Sequence, residues 1–288
     1  MLDLIDDANE QGHSTCYSED LFSIAIWQTK SFYDLYEQDS PIFIPWEVRE
    51  RIASIFGRLS RWQDIDLPWP SAFDVQVNQG SKENAPSIAW AHKQTKQDKA
   101  HTVACLVFPS IRSAGYLPVT VASCTENLWF IGDHQNYYSF FRWLITDTSK
   151  NPSEMEAFAL SAFPLIDFAP GVFNGIKSMS KSYREIVRPL TKHLGVLSDH
   201  GKRIFSGSWS NASAEFGSLG VDLSDENGNT KGNNEARKER TININGMDII
   251  FWWHSKLEPN KDRIHFYPDR IPTGGRLLVG IFCYHLQT

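Results

Sequence analysis

Two short stretches near the end of the 288-residue sequence carry side chains that can move protons and hold phosphate. Residues 248–256 and 263–267 read as β-strands, and on a strand the residues two apart share one face. One face would then carry two imidazoles, two cations, an indole and a phenol: Trp252, His254, Lys256, Arg263, His265 and Tyr267. Imidazoles transfer protons and cations stabilise a phosphorane, so this set predicts phosphodiester chemistry with no metal or other cofactor.

The register of these two strands decides whether their side chains meet. The six-residue connection LEPNKD would pair Lys256 with Arg263 and therefore His254 with His265. Because like-charged cross-strand pairs cost stability, such a face suggests that an anion binds there. The following strand, residues 276–285, would return antiparallel and bring His285 to the same end of the sheet.

These positions predict specific roles at a nucleic-acid phosphate. His254 and His265 are the expected general base and general acid, with Tyr267 and His285 supporting them. The expected phosphate-binding residues are all basic: Lys256, Arg263, Lys261 and Arg240.

Two other interpretations of the same residues stay open. An antiparallel sheet usually has one solvated face, where His, Lys, Arg and Tyr are ordinary residues. Three histidines can also bind zinc, but no HExxH or CxxC pattern accompanies them, so no metal ligands are predicted. The acidic residues Asp222, Asp225 and Glu226 lack EF-hand spacing and are interpreted as part of a solvated loop.

Hydrophobic periodicity predicts the elements that position these residues. Apolar residues three and four apart predict helices over 21–38, 46–62, 135–145, 153–163 and 180–194. Short β-branched and aromatic runs between turn residues predict a small sheet with strands at 87–91, 102–109, 117–123 and 128–131.

The last third of the sequence changes character twice. Residues 206–240 are rich in Gly, Ser, Asn and charge, which is typical of a loop that cannot pack alone. Four runs separated by hairpin-sized connections then predict an antiparallel meander: 241–245, 248–256, 263–267 and 276–285. The expected fold is α+β, with a mixed helical and sheet domain at 1–205, a polar loop at 206–240 and the meander at 241–288.

The segment WWHSKLEPNKDRIHFYPDRIPTGGRLLVGIFCYHL resembles the strand region of RelE/ParE-like bacterial toxins. The resemblance rests on the strand with Lys256, the strand with Arg263, His265 and Tyr267, and the terminal VGIF-x-x-H strand, and it covers roughly the last 45 residues. In that family a basic, metal-independent site on a sheet cleaves RNA or, in other members, poisons another target. The helical hairpin that precedes the sheet in that family is not evident directly before Thr241. The resemblance implies a bacterial toxin or defence effector.

Charge and composition limit the partners and the compartment. The net charge is -6, yet the residues from Lys231 onward hold nine basic and six acidic side chains. Overall acidity disfavours nonspecific coating of nucleic acid, whereas a local basic site stays compatible with it. The start of the sequence is acidic, the four cysteines are scattered, and no apolar run reaches about 18 residues. A cytoplasmic protein with no membrane partner is expected.

Two functions are therefore predicted. The first is a bacterial toxin or phage-defence effector acting on nucleic acid, RNA rather than DNA, by metal-independent cleavage. The second is a noncatalytic subunit of a larger complex, whose aromatic-rich, acidic N-terminal part binds a protein partner while the basic face binds nucleic acid or protein. Ten tryptophans fit an interaction surface, because Trp and Tyr often anchor interfaces.

Overall fold

The computed structural model describes residues 1–36, 44–64, 69–97, 103–108, 112–259, 261–272 and 274–287. The chain has two compact units, Met1–Phe140 and Phe141–Thr288, and is of the α+β class, as predicted. The predicted domain boundaries, at residues 205 and 240, both fall inside the second unit. Among the helices of the described ranges, none combines the length and the apolar character needed to cross a lipid bilayer.

The first unit alternates short helices with short strands. Its helices are α1 (Leu2–Glu10), α2 (Phe32–Tyr36), α3 (Trp46–Phe56), α4 (Pro86–Gln97) and α5 (His134–Asp147), and the division between the units falls within α5. Its strands are β1 (Cys16–Tyr17), β2 (Ala25–Trp27), β3 (Lys30–Ser31), β4 (Ser60–Arg61), β5 (Asp74–Val77), β6 (Lys82–Asn84), β7 (Ala104–Leu106), β8 (Gly115–Val121) and β9 (Cys124–Ile131).

A five-stranded sheet with the order β6-β5-β8-β9-β7 organises the first unit. Neighbouring strands of this sheet are antiparallel, except that β7 runs parallel to β9. Helix α4 packs on this sheet, and Ile88 and Trp90 share a core with Val75 and Phe130. Burial of such side chains removes apolar surface from water, which is the main force that holds α4 on the sheet.

Two predicted elements of the first unit are wrong. Residues 21–38 do not form one helix: they contain the end of a 3-10 helix (Glu19–Phe22), the β2–β3 hairpin and α2, and the last two residues lie outside the described ranges. Gln28, in the hairpin turn, has a φ of 49°, which no helix interior adopts. Residues 87–91 lie in α4 rather than in a strand: Pro86 occupies the first helical position, and the helix continues through polar residues to Gln97.

The other predictions for the first unit hold more closely. The predicted helix at 46–62 begins at Trp46 but ends at Phe56, before Gly57. The strands predicted at 117–123 and 128–131 correspond to β8 and β9. The strand predicted at 102–109 corresponds to β7, and both ends of that range lie outside the described residues.

The second unit contains one long helix and a second mixed sheet. Its further helices are α6 (Pro152–Ala162), α7 (Tyr183–Phe205), α8 (Ala212–Ser218), α9 (Gly228–Gly232) and α10 (Asn234–Glu239). Its strands are β10 (Ile166–Phe168), β11 (Asp222–Ser224), β12 (Thr241–Ile244), β13 (Met247–Ile250), β14 (Trp253–Lys256), β15 (Arg263–Tyr267) and β16 (Leu277–Cys283).

The sheet of the second unit has the order β10-β16-β15-β14-β11, and we call it the main sheet. Strands β14, β15 and β16 form an antiparallel meander, as the sequence predicts. The edge strand β10 pairs parallel with β16, and the other edge strand, β11, pairs antiparallel with β14. Both edge strands come from outside the predicted meander.

Helix α7 covers one face of the main sheet. A capping box of Ser182 and Glu185 satisfies backbone N–H groups at its start, and the helix continues past the predicted end at residue 194 to Phe205. The ring of Phe205 lies 5.2 Å from that of Trp253 and 5.8 Å from that of Phe266, measured between centroids. These contacts fix which side chains of β14 and β15 point toward the helix, and alternation sends their neighbours to the opposite face.

The opposite face carries His254 and His265, and we call it the histidine face. Residues 225–251 cover it, and we call this segment the cover. Phe251 lies directly against Gly280 of β16, where a Cβ atom would come within 3.0 Å of the aromatic ring. Arg240 and Ala236 of the cover are also fully buried. The histidine face is therefore an interior layer, not the solvated face that antiparallel sheets often have.

The predicted polar loop and the first half of the meander need correction. Residues 206–240 contain α8, β11, α9 and α10. The side chains of Asn227 and Asn233 cap α9 and α10, so a polar composition does not exclude short helices. The run at 248–256 is two strands, β13 and β14, interrupted at Phe251 and Trp252. Strands β12 and β13 form a separate two-stranded hairpin. Only three of the predicted meander strands therefore belong to the main sheet.

Candidate functional site

The two histidines predicted to meet do meet. His254 pairs with His265 and Lys256 with Arg263 in the β14–β15 ladder, the register that the six-residue connection predicts. The two imidazole rings lie 5.3 Å apart between centroids. His254 is 6% exposed and His265 is 1% exposed, so neither is a surface group.

A carboxylate from the cover completes this group. Glu226 Oε1 lies 3.4 Å from His254 Nδ1, and the Glu226 side chain is only 8% exposed. One oxygen or nitrogen atom from each of Glu226, His254 and His265 lies within 4.8 Å of the other two. We call these three residues the His–Glu cluster. The interpretation of Glu226 as part of a solvated loop is wrong, because the cover folds onto the sheet and buries it.

Arg240 holds the carboxylate of the cluster in place. Its Nε and Nη2 atoms donate to Glu226 Oε1 at 3.1 and 2.8 Å, and its Nη1 donates to the carbonyl oxygen of Ala236 at 3.1 Å. The side chain is 2% exposed, so the ion pair lies away from solvent. Breaking a buried pair on one side leaves an uncompensated charge, which makes Arg240 a positioning residue for Glu226.

Hydrogen bonds orient both imidazoles. His265 Nδ1 lies 3.2 Å from the carbonyl oxygen of Phe251, an acceptor only, so Nδ1 carries the proton and Nε2 carries a lone pair. His254 Nε2 lies 3.3 Å from Ser224 Oγ. Two ring nitrogens then stay buried without a hydrogen bond of good geometry to the described residues: His265 Nε2, and His254 Nδ1, which only approaches Glu226 Oε1 at 3.4 Å.

Burial sets the charge of both rings. Burial lowers the pKa of His254 to about 4, partly opposed by the negative charge of Glu226 and reinforced by Arg263. Burial also lowers the pKa of His265 well below its ordinary value, and the neighbouring His254 and Arg240 lower it further. Both imidazoles are therefore neutral near neutral pH, which suits a base or a metal ligand and does not suit the general acid predicted for His265.

The predicted phosphate-binding side chains contact acceptors of this chain. Lys256 Nζ lies 3.3 Å from Asp222 Oδ1, and Lys261 Nζ lies 3.5 Å from Glu258 Oε2. Arg263 is buried and donates from Nη1 to the Glu258 carbonyl oxygen at 2.8 Å. Arg240 binds Glu226, as described above. Each of the four cations thus already has a partner in the fold, and their role toward phosphate stays a prediction.

The two supporting residues lie apart from each other. Cys283, the last residue of β16, pairs with Arg263, so the strand returns to the expected end of the sheet. His285 lies beyond it in an exposed segment, where the backbone N–H of Gln287 donates to Glu239 Oε2 at 2.8 Å. Tyr267 instead borders a cleft beside the cluster.

That cleft is the aromatic cleft, with a volume of about 150 Å³. Half of its ten lining residues are aromatic, and the others include two carboxylates and one ammonium group: Trp209, Asp225, Lys231, Ile250, Trp252, Trp253, Phe266, Tyr267, Pro268 and Asp269. Lys231 Nζ and Asp225 Oδ2 form an ion pair of 2.6 Å. Each residue of the His–Glu cluster has a cleft-lining residue within two positions of it in the chain, so cleft and cluster are neighbours.

A third buried histidine lies on the other face of the sheet. His193 of α7 has its Nδ1 atom 2.7 Å from Ser255 Oγ, and Ser255 is fully buried. Sequence reasoning missed both His193 and Glu226 as site-forming residues. His193 lies at helical spacing from the apolar residues of α7, so its burial could have been predicted, whereas no periodicity in the sequence indicates that Glu226 is buried.

Comparison with protein-family models, with curated proteins and with solved structures found no match. The resemblance to RelE/ParE-like toxins therefore stays a prediction. The first unit has its own depression of about 420 Å³ beside Arg61. Arg61 is paired there with Asp64 at 2.7 Å and with Glu19, so it does not offer an unpaired cation.

Proposed function

We propose that the chain is a bacterial toxin or phage-defence effector that acts on nucleic acid, RNA in preference to DNA, and that it engages an unstacked base in the aromatic cleft. The observation that carries this proposal is the cleft itself, an aromatic-walled space beside the His–Glu cluster. Base–aromatic stacking is tolerant of sequence and contributes about 1–3 kcal/mol per base. RNA loops present such unstacked bases, whereas a duplex hides them.

The polar groups of the cleft suit a base better than a phosphate. Asp225 and Asp269 can accept hydrogen bonds from exocyclic amino groups, but they repel a phosphate. Basic side chains of the C-terminal half, among them Lys231 and Arg237, would attract the backbone on either side. Cleavage is the second half of the proposal, and it requires movement of the cover, because His254 and His265 are buried beneath it.

The test of binding compares two tryptophan variants. Fluorescence anisotropy with labelled single-stranded RNA, the matching DNA and a duplex is measured for the wild type, Trp252→Ala and Trp46→Ala. Trp46 is 68% exposed in the first unit and serves as the matched control. We expect Trp252→Ala to weaken RNA binding by about 1–3 kcal/mol, roughly 5- to 150-fold, and Trp46→Ala to bind like the wild type. Equal binding by all three proteins would overturn the cleft as the binding site.

The test of cleavage uses the same RNA with gel analysis. His265→Gln should abolish product formation while it leaves binding in the cleft largely unchanged. Absence of product in the wild type, with binding intact, would remove cleavage from the proposal and leave a nucleic-acid-binding protein.

A second candidate function is a noncatalytic subunit that binds a protein partner through the first unit. Exposed aromatic side chains favour it: Tyr33, Trp46, Trp69 and Tyr116 are all at least 42% exposed. Trp and Tyr are the residues that most often anchor interfaces. Crosslinking in bacterial cells, followed by mass spectrometry, should recover a partner with the wild type and lose it with Trp46→Ala/Trp69→Ala.

A further inference from the structure

The His–Glu cluster has the donor set of a metal site. Two neutral imidazole nitrogens and a carboxylate oxygen are the ligands that bind Zn²⁺, Fe²⁺ and other first-row divalent ions. The two nitrogens without a hydrogen bond of good geometry to the described residues, His254 Nδ1 and His265 Nε2, belong to buried rings. An unsatisfied buried polar atom in a native fold needs a partner, and a bound ion is one that both nitrogens can share.

The spacing of the donors is close to that of a bound ion. In a tetrahedral site, two ligands of one Zn²⁺ ion lie about 3.4 Å apart, given a Zn–N length of about 2.1 Å. The donor atoms of the cluster already lie within 4.8 Å of one another. Movements of up to about 1 Å by each side chain would therefore bring them into coordination distance.

The surroundings supply the outer hydrogen bonds that metal ligands usually have. A ligating histidine commonly donates its other N–H to a carbonyl, as His265 does to Phe251. Ser224 contacts the other nitrogen of His254, and Arg240 orients Glu226. Both hydrogen bonds from Arg240 to Glu226 end on Oε1, so the ion pair leaves the lone pairs of Oε2 for an ion.

We propose that Glu226, His254 and His265 bind one divalent first-row transition ion, with Zn²⁺ as the type case. Because Arg240 balances the charge of Glu226, the bound ion would keep its two positive charges and favour an anionic fourth ligand, hydroxide or a phosphate oxygen. The site differs from the metal-free chemistry predicted from the sequence, since both histidines become ligands. The proposal does not depend on nucleic-acid binding.

The test uses the full chain after removal of metals with EDTA. Co²⁺ is titrated into the protein and followed by visible absorption, and Zn²⁺ is then added in competition. We expect one Co²⁺ per chain with the d–d bands of a four- or five-coordinate site, displaced by Zn²⁺. His265→Gln and Glu226→Gln should each weaken binding by more than about 100-fold, beyond the loss typical of outer-shell changes.

Two controls keep the result decisive. His285→Gln removes an exposed histidine and His193→Asn a buried one outside the cluster, and both should bind Co²⁺ like the wild type. X-ray absorption on the Zn²⁺-loaded wild type needs no variant and should show two imidazole ligands. The proposal is overturned by no saturable Co²⁺ binding in the wild type, by fewer than two imidazoles on zinc, or by wild-type affinity in the cluster variants.

Discussion

Acid should destabilise the second unit through His193, and the size of the effect follows from its burial. His193 is 7% exposed, and burial lowers its pKa from 6.5 to about 4. The charge of Lys192 lowers the pKa further and that of Asp222 opposes the shift. Its imidazole is hydrogen bonded to the hydroxyl of Ser255 on β14.

The sign and magnitude of this acid effect follow from the difference between the pKa of His193 in the folded chain and in the unfolded chain. The unfolded chain binds a proton at His193 below pH 6.5, while the folded chain stays neutral there until about pH 4. The contribution of the neutral ring is therefore complete above pH 6.5 and is lost as the pH falls from 6.5 toward 4. Between about pH 7.5 and about pH 4.5 the lost free energy of unfolding is about 2.5 kcal/mol for this residue alone.

The assay compares His193→Asn with the wild type at those two pH values. Asparagine keeps a polar atom near the position of Nδ1 and does not titrate. Urea unfolding is followed by hydrogen-exchange mass spectrometry of peptides from α7 and β14, which report on the second unit. His254 and His265 titrate in both proteins, so the difference between the two pH dependences isolates His193. His200→Asn, on the same helix but not buried, serves as the control. Equal acid sensitivity of His193→Asn and the wild type would refute the reasoning.

Three further outcomes test the packing around the histidine face. Gly280→Ala should lower the free energy of unfolding in urea by about 1–3 kcal/mol, because the added Cβ would overlap the ring of Phe251. Gly217→Ala, where a Cβ would meet nothing within 4 Å, should change the same free energy by less than about 0.5 kcal/mol. Arg240→Met should lower the free energy of unfolding by about 3–5 kcal/mol, because it leaves the buried Glu226 carboxylate unpaired. Adding Glu226→Leu to this variant should restore much of the lost stability, which thermal unfolding would report. Cys283, whose pKa burial raises to about 12, should resist iodoacetamide in the native chain and react after unfolding, as peptide mass spectrometry would report.

The sequence predicts the centre of the site better than its surroundings. The His254–His265 pair follows from strand alternation and one short connection, both of which are local rules. Burial of that pair does not follow, because it depends on the cover folding back over the sheet. Glu226 lies in a polar segment with no period to reveal its face, so only the tertiary fold brings it to the histidines.

The errors in the secondary structure have the same origin. The run at 87–91 is short and apolar, and such runs fit a buried helix as well as a strand, so the tertiary environment decides. The stripe at 21–38 has helical spacing, yet the left-handed turn at Gln28 divides it. Edge strands β10 and β11 have three residues each, too few to show a period.

The parallel pairing of β10 with β16 also sets a timing for synthesis. Phe168 of β10 pairs with Val279 of β16, so the main sheet stays open while more than 100 residues are made in between. At 5–20 residues per second this interval lasts roughly 5 to 20 seconds. Helix α7 is complete during that time, and its apolar side chains have no β16 to pack on. Nascent chains of this protein therefore keep the apolar face of α7 uncovered until β16 has been synthesised, late in translation.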